Sequence, residues 1–319
     1  MTDTLTPPPA GEVDHPLRPT GRRVGDRVFA GLARSAGLVI LVALAGVAIF
    51  LTVQGVPAVG AHEEALRGAG NIVSFVAPLL FGTVLAAAIA LILATPLAVG
   101  IALVISHFAP RRIATPLGYV VDLLAAIPSV VYGAWGLSFL GPKLVPIYAW
   151  LEAHVGWLPL FKGPASGTGR TILTASIVLA IMVLPIITAI TREVFKQTPP
   201  LHQEAALALG ATRWEMIRMT VLPYGRSGLV SATMLGLGRA LGETMAVALV
   251  LSASGAVTFN LISSDNPSSI AANIALNFPE STGLAVNALV FSGLVLFVLT
   301  FLVNFAARAI VARADRKVS

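Results

Sequence analysis

An all-α bundle of about six membrane-spanning helices is the architecture this sequence predicts, and three observations predict it. The 319 residues are 56% hydrophobic and only 11% charged, against about 25% charged in soluble domains. Six stretches are long and apolar enough to cross a bilayer, which takes about 20 residues. The basic residues lie unevenly between the connecting segments, as they do in chains threaded through a membrane.

The expected spans are Ser35 to Val53, a stretch within Val76 to Ser106, Leu117 to Leu140, Ile172 to Thr191, Gly228 to Ser252, and Leu284 to Ala307. Pro96 is expected to kink the second, and Pro185 lies inside the fourth. Such prolines are tolerated where neighbours re-satisfy the freed backbone. Residues 1–34 read as a polar, Pro-rich cytoplasmic tail, 35–308 as the transmembrane domain and 309–319 as a basic cytoplasmic tail. Of the 21 Lys and Arg residues, sixteen fall on one side of these spans and four on the other. The richer side is the cytoplasmic one. The count therefore places both termini in the cytoplasm of a multi-pass plasma (inner) membrane protein, with lipid as a partner and no nucleic acid. There are no cysteines, which excludes disulfide and thiolate chemistry.

Two external loops are long. One, around Gly141 to Gly169, mixes Pro, Gly and aromatics, and either carries a short interfacial helix near Trp150 and Trp157 or is a plain connector. The other, about Gly255 to Gly283, is polar. The segment "GPASGTGRT", Gly163 to Thr171, is the nearest approach to a phosphate-cradling loop. Its spacing is one residue too long and Arg170 stands where Lys is required. It reads as a flexible loop. No metal-ligating or nucleophile motif appears, so catalytic residues, metals and bound cofactors are all expected to be absent.

The segment between the fourth and fifth spans, Thr198 to Pro223, reads as a helix–turn–helix elbow. Thr198 is placed to cap a helix with Pro199 at its first position. Gly210 suits a left-handed stop, Thr212 and Glu215 form a capping box, and Pro223 is expected to limit the second helix. Ala205, Ala206 and Ala208 would offer small side chains for close approach by another protein. A DNA-binding helix–turn–helix shares the turn pattern, but flanking spans argue against it, and a plain interfacial connector stays open.

"EAALALGATRWEMIRMTVLP" resembles the EAA loop of ABC importer permeases, with Glu204, Ala205, Ala206, Gly210, Leu222 and Pro223 in register. Thr220 departs from the Ile of that pattern. The resemblance implies a type I ABC importer permease fold and a coupling helix seated in a separate ATPase. ATP is then bound by that partner.

"GLGRALGETMAVALV", Gly236 to Val250, carries Arg239 and Glu243 inside the fifth span. Each charge costs roughly 2.5–3.5 kcal/mol at a helix centre. In one continuous helix the two would lie about 6 Å apart along the axis, on one face. Gly238, Gly242 and Ala246 would form a small-residue packing stripe beside them. The pair is either a self-neutralising structural bridge or a polar gate in which the Arg239 fork meets an oxyanion. In the gate, Glu243 would hold Arg239 between turnovers or meet a protonated oxyanion. Asp122 in the third span reads as structural, near the cytoplasmic interface.

Together with "AAIPSVVYG", this stretch is similar to the permeases of phosphate-specific ABC importers. That resemblance implies translocation roles for Arg239 and Glu243. It also implies a second, related permease (PstA-like) as heterodimer partner, an ATPase dimer (PstB-like) and an extracytoplasmic phosphate-binding protein (PstS-like). A permease for sulfate or molybdate, an ion-coupled secondary transporter and an intramembrane enzyme are the competing classes. The elbow discriminates, because a secondary transporter has no use for an ATPase dock.

Overall fold

The computed structural model describes residues 24–255 and 257–315. Within them the chain is helical, and its only strand-like feature is an isolated bridge between Ala253 and Asn266. The helices are α1 (Val24–Gly55), α2 (Ile72–Leu103), α3 (Arg111–Ala125), α4 (Ser129–Trp135), α5 (Gly141–Val155), α6 (Ile172–Lys196), α7 (Pro200–Ala208), α8 (Arg213–Met216), α9 (Leu222–Leu241), α10 (Met245–Val250), α11 (Ile270–Asn277) and α12 (Leu284–Asp315). The chain divides into two compact units, Met1–Ile49 and Phe50–Ser319. The described part of the first is residues 24–49 of the long apolar α1, so residues 24–34 are helical. Residues 1–23 of the expected tail lie outside the described residues. At the other end α12 runs on through residues 309–315.

The second unit is built around α6. Its neighbours α2 and α9 each offer it a row of small side chains at four-residue spacing. On α2 the row is Ala86, Ala90, Ala94, Ala98 and Ala102, all buried. On α9 it is Ala232, Gly236 and Ala240, also buried. A Cβ added at Gly236 would meet Ile187 of α6 at 2.8 Å. Lipid tails are as apolar as Leu, so helices in a bilayer gain little from burial alone and rely on close packing. The large residues Leu179, Met182, Val183 and Ile187 of α6 fill the space between the two rows. The packing stripe is therefore shifted from the expected one: Gly238 has open space around it, and Gly242 meets only the backbone of its own helix.

Among the described residues five helical stretches are long and apolar enough to span by themselves: Val28–Gly60, Ile72–Phe108, Ser129–Val155, Ile172–Lys196 and Leu284–Ala309. Two expected spans are corrected. The third does not run from Leu117 to Leu140. The chain breaks between α3 and α4, where Pro128 disfavours helical backbone at Ile127. The apolar helix then continues through a π-helical turn at Gly136–Leu140 into α5, so Trp150 extends the span and is not on a separate interfacial helix. The fifth, Gly228 to Ser252, is two helices, α9 and α10, with a break at residues 242–244.

The two long loops are not free connectors. Asn266 is fully buried, and its amide nitrogen donates to the carbonyls of Arg170, Ser252 and Ser263. Its side-chain oxygen accepts from the Ile172 amide at 3.0 Å, at the start of α6. The Thr83 hydroxyl accepts the Ile270 amide at 2.9 Å, and the chain passes so close to α2 that a Cβ at Gly82 would lie 2.4 Å from the Ser268 carbonyl. The expected flexible loop at Gly163 to Thr171 is pinned as well. Ser166 is buried, donates its amide to the Ile262 carbonyl at 2.7 Å and accepts the Ser264 hydroxyl at 2.9 Å. Polar sequence made these segments look like surface; a few side chains that satisfy buried backbone groups allow them inside.

Replacing Gly236 by Leu should lower the melting temperature of the detergent-purified protein by several degrees, whereas Gly238→Ala should leave it nearly unchanged. Equal shifts would contradict the packing assigned to α9.

Candidate functional site

Arg239 and Glu243 are not stacked on one helical face. Arg239 sits in the last turn of α9. The helix then stops, Gly242 caps it, and the Thr244 hydroxyl bonds the Gly242 carbonyl at 3.2 Å. Glu243 lies in the break. It is buried, with 8% of its surface exposed, and its Oε1 accepts the Ala246 amide at 3.1 Å. A carboxylate that satisfies a free N–H in the first turn of α10 competes with the i→i−4 ladder. Among the described residues Arg239 and Glu243 form no ion pair. The self-neutralising bridge is thus not what the structure contains.

Two interruptions face each other at this level. α4 crosses α10 so closely that a Cβ on Gly133 would lie 2.8 Å from the Ala246 Cα. Tyr132 of α4 donates its hydroxyl to the Leu124 carbonyl at 2.8 Å, across the break that ends α3. The motif "AAIPSVVYG" and the motif "GLGRALGETMAV" therefore meet in space. Tyr132 is the residue that sequence reasoning passed over; its presence in a quoted motif was the available signal. Broken helices that bring polar groups to the interior are a recurrent way to build a path through a membrane.

Arg239 itself is exposed to a cavity of about 710 Å³ between α6, α9 and α12, lined among others by Ile186, Ser231, Asn304 and Arg308. Arg239 is in no ion pair among the described residues, so its donor fork is available to an anion. The cavity brings together Arg239 and the wall of α12; Glu243 is left as a buried organiser of the break.

Asp122 is outside the spans, on α3, 3.5 Å from the Arg192 guanidinium at the end of α6. A Cβ on Gly118 would collide with that guanidinium, so Arg192 packs directly against α3. Arg192 also pairs with Glu193 at 3.2 Å, and Lys196 with Glu193 at 3.0 Å. The structural role expected of Asp122 is the one its geometry supports.

The elbow exists, with its register adjusted. Pro199, not Thr198, is the N-cap of α7, with Pro200 at the first turn; Thr198 is buried with no partner for its hydroxyl. Gly210 has φ +85, a left-handed turn that only glycine adopts freely. The capping box is present: Thr212 Oγ1 accepts from the Glu215 amide at 3.3 Å, and Glu215 Oε2 accepts the Thr212 amide at 2.8 Å and its hydroxyl at 2.7 Å. The backbone bond from Thr212, then the hydroxyl bond, hold the Glu215 carboxyl below the usual carboxylate value. That cap is complete above the carboxyl's unfolded value and is lost as pH falls through the lower folded one. Pro223 does not end the helix. A π-helical turn at Ile217–Val221 absorbs its missing donor and the helix runs on into α9, as π-bulges permit. Thr220 bonds back to the Met216 carbonyl at 2.8 Å within that turn.

The elbow has two sides. Ala206, expected on the outer face, is buried; with Met216, Ile217 and Val221 it packs on Ala102 and Leu103 of α2 and Phe195 of α6, and Leu222 is half-buried against them. Glu204, Ala205, Ala208, Gly210 and Pro223 are exposed. So are Leu209 at 89% and Trp214 at 55%, apolar side chains that the alanine reading missed.

A model of the binding-protein-dependent transport system inner membrane component family matches residues 94–319. The chain belongs to this family. The phosphate transport system permease protein PstC 2 of Mycobacterium tuberculosis is 50% identical to it, over 97% of this chain and 98% of that one. The PstC protein of Mesorhizobium japonicum is 39% identical, over 92% and 91%. Among solved structures, a bacterial alginate ABC transporter in complex with an alginate pentasaccharide-bound periplasmic protein superposes with a TM-score of 0.62 at 15% identity, covering 91% of this chain and 95% of that one. An inward-facing form of the MetNI methionine ABC transporter gives 0.54 at 16% identity, covering 75% and 95%. The fold is that of a type I ABC importer permease, and the chain is a multi-pass membrane protein.

Gly210→Val should strain the turn of this permease and uncouple ATP hydrolysis from uptake in the assembled transporter. Full uptake at wild-type hydrolysis would contradict the role of the turn.

Proposed function

We propose that this chain is the transmembrane permease subunit of an ATP-driven importer of inorganic phosphate. One observation carries the reading: half of its residues are identical, over nearly its whole length, to a phosphate transport permease. The exposed, unpaired Arg239 at a helix break supports it, because a planar donor fork matches a tetrahedral oxyanion. An extracytoplasmic phosphate-binding protein (PstS-like) delivers the anion to the outer mouth. A second permease (PstA-like) completes the path, and an ATPase dimer (PstB-like) hydrolyses ATP, so this subunit is itself non-catalytic. The outer face of the elbow, with Glu204, Ala205, Gly210 and Pro223 beside Leu209 and Trp214, seats on that dimer. Ala206 and Leu222 transmit its motion through the elbow core to α2 and α6. Both termini lie in the cytoplasm.

Phosphate passes Arg239 at modest affinity, since a tight site would trap it. Arg239→Gln removes a charge-assisted contact of about 1.5–3 kcal/mol and should cut phosphate uptake at least about tenfold while the complex still co-purifies. Wild-type uptake by that variant would sink the gate.

Topology is tested separately. Ser166 is buried, so a cysteine at exposed Gly167 should react with an impermeant reagent from outside the cell, and a cysteine at Thr212 only after the membrane is opened. The reverse pattern would invert the chain in the membrane.

A further inference from the structure

Arg308 belongs by sequence to a basic cytoplasmic end, where a long cation ordinarily reaches for headgroups. Its position here is more specific. It lines the same cavity as Arg239, with Asn304 one turn earlier on α12 and Ser231 on the facing α9. Among the described residues no acidic side chain lines this cavity, and neither arginine is in an ion pair. Two unpaired guanidinium groups and two neutral polar side chains around one space make an anion-binding environment.

The helix directions place Arg308 on the elbow side of Arg239. The elbow core packs on Ala102 and Leu103 at the end of α2, whereas Ala288 near the start of α12 packs on Ile72 and Val76 at the beginning of α2. α12 therefore begins at the far end from the elbow, and Arg308, twenty residues on, lies about 30 Å closer to it. α9 runs the other way, starting at the elbow and reaching Arg239 in its last turn.

We propose that the cavity between α9 and α12 is a vestibule on the cytoplasmic side of Arg239 that binds the departing phosphate, with Arg308 as its second anion-binding side chain. This rests on the reading of the chain as a phosphate permease. Arg308 receives the anion from Arg239 through Ser231 and Asn304, so that neither arginine has to release it directly to water. Two weak sites in series favour release over trapping. The same vestibule, open to cytoplasmic phosphate, makes the transporter sensitive to its own product.

The test uses the complete transporter in proteoliposomes with the cytoplasmic face inward. Labelled phosphate is supplied outside on the binding protein, and the lumen is loaded with unlabelled inorganic phosphate or, at equal ionic strength, chloride. Lumenal phosphate should slow initial uptake in the wild type. Arg308→Gln should raise the half-inhibiting concentration about tenfold, the loss of one charge-assisted contact, and Arg308→Lys should recover part of it. Absence of phosphate inhibition in the wild type would overturn the proposal. So would unchanged inhibition in a co-purifying Arg308→Gln complex. An effect of Arg308→Gln that follows only the anionic-lipid content of the vesicles would do the same and make Arg308 a headgroup anchor. Failure of the underlying reading shows differently: Arg239→Gln then retains uptake, or the wild type prefers sulfate to phosphate.

Discussion

The close approach of α2 and α9 to α6 is the constraint on which the rest of the structure depends. Within a bilayer there is no water to expel from between helices, so adhesion comes from atoms in contact. A helix of large residues can be gripped from both sides only if the gripping faces are nearly flat. Ala86 to Ala102 on α2 and Ala232 to Ala240 on α9 supply those faces. Their cost is chemical: a small-residue face offers no side chain to bind anything. The polar groups are therefore displaced to other faces and to the ends, and Arg239, next to buried Ala240 on α9, faces the cavity that α6, α9 and α12 line.

The second consequence concerns the breaks. A continuous fifth helix would have paired Arg239 with Glu243 and neutralised both. The interruption at Gly242 gives Glu243 a backbone amide to hold and leaves Arg239 unpaired. A buried carboxylate with a fixed partner and an exposed guanidinium without one are a division of labour: the first shapes the path, the second meets what passes along it. The other interruption, before Pro128, is bridged by the Tyr132 hydroxyl, and the helix that follows it packs at Gly133 against Ala246 of α10.

Much of this was legible in the sequence. The bundle, the elbow and the Thr212–Glu215 capping box follow from composition, periodicity and local capping chemistry, all of which act over a few residues. The misreadings came from interactions that act across the chain. Nothing within five residues of Asn266 announces that it will tie together Arg170, Ile172, Ser252 and Ser263. The Gly163 to Thr171 segment looked flexible because its partners, Ile262 and Ser264, were nearly a hundred residues away. Glu243 was read as a helical residue because a helix was the local default, and its own side chain is what ends that helix. Ala206 was read as exposed because alanine carries no preference strong enough to say which side of a short helix faces in; Phe195 and Met216 decide it.

The buried Asn266 joins the outer segment to the first residues of α6, while Phe195 at the last turn of the same helix is clamped in the elbow core. One helix thus carries the Asn266 knot at its first turn and the elbow core at its last. A displacement at one end reaches the other through 25 helical residues, and Pro185, which lacks the N–H of one ladder bond, sets how faithfully it arrives.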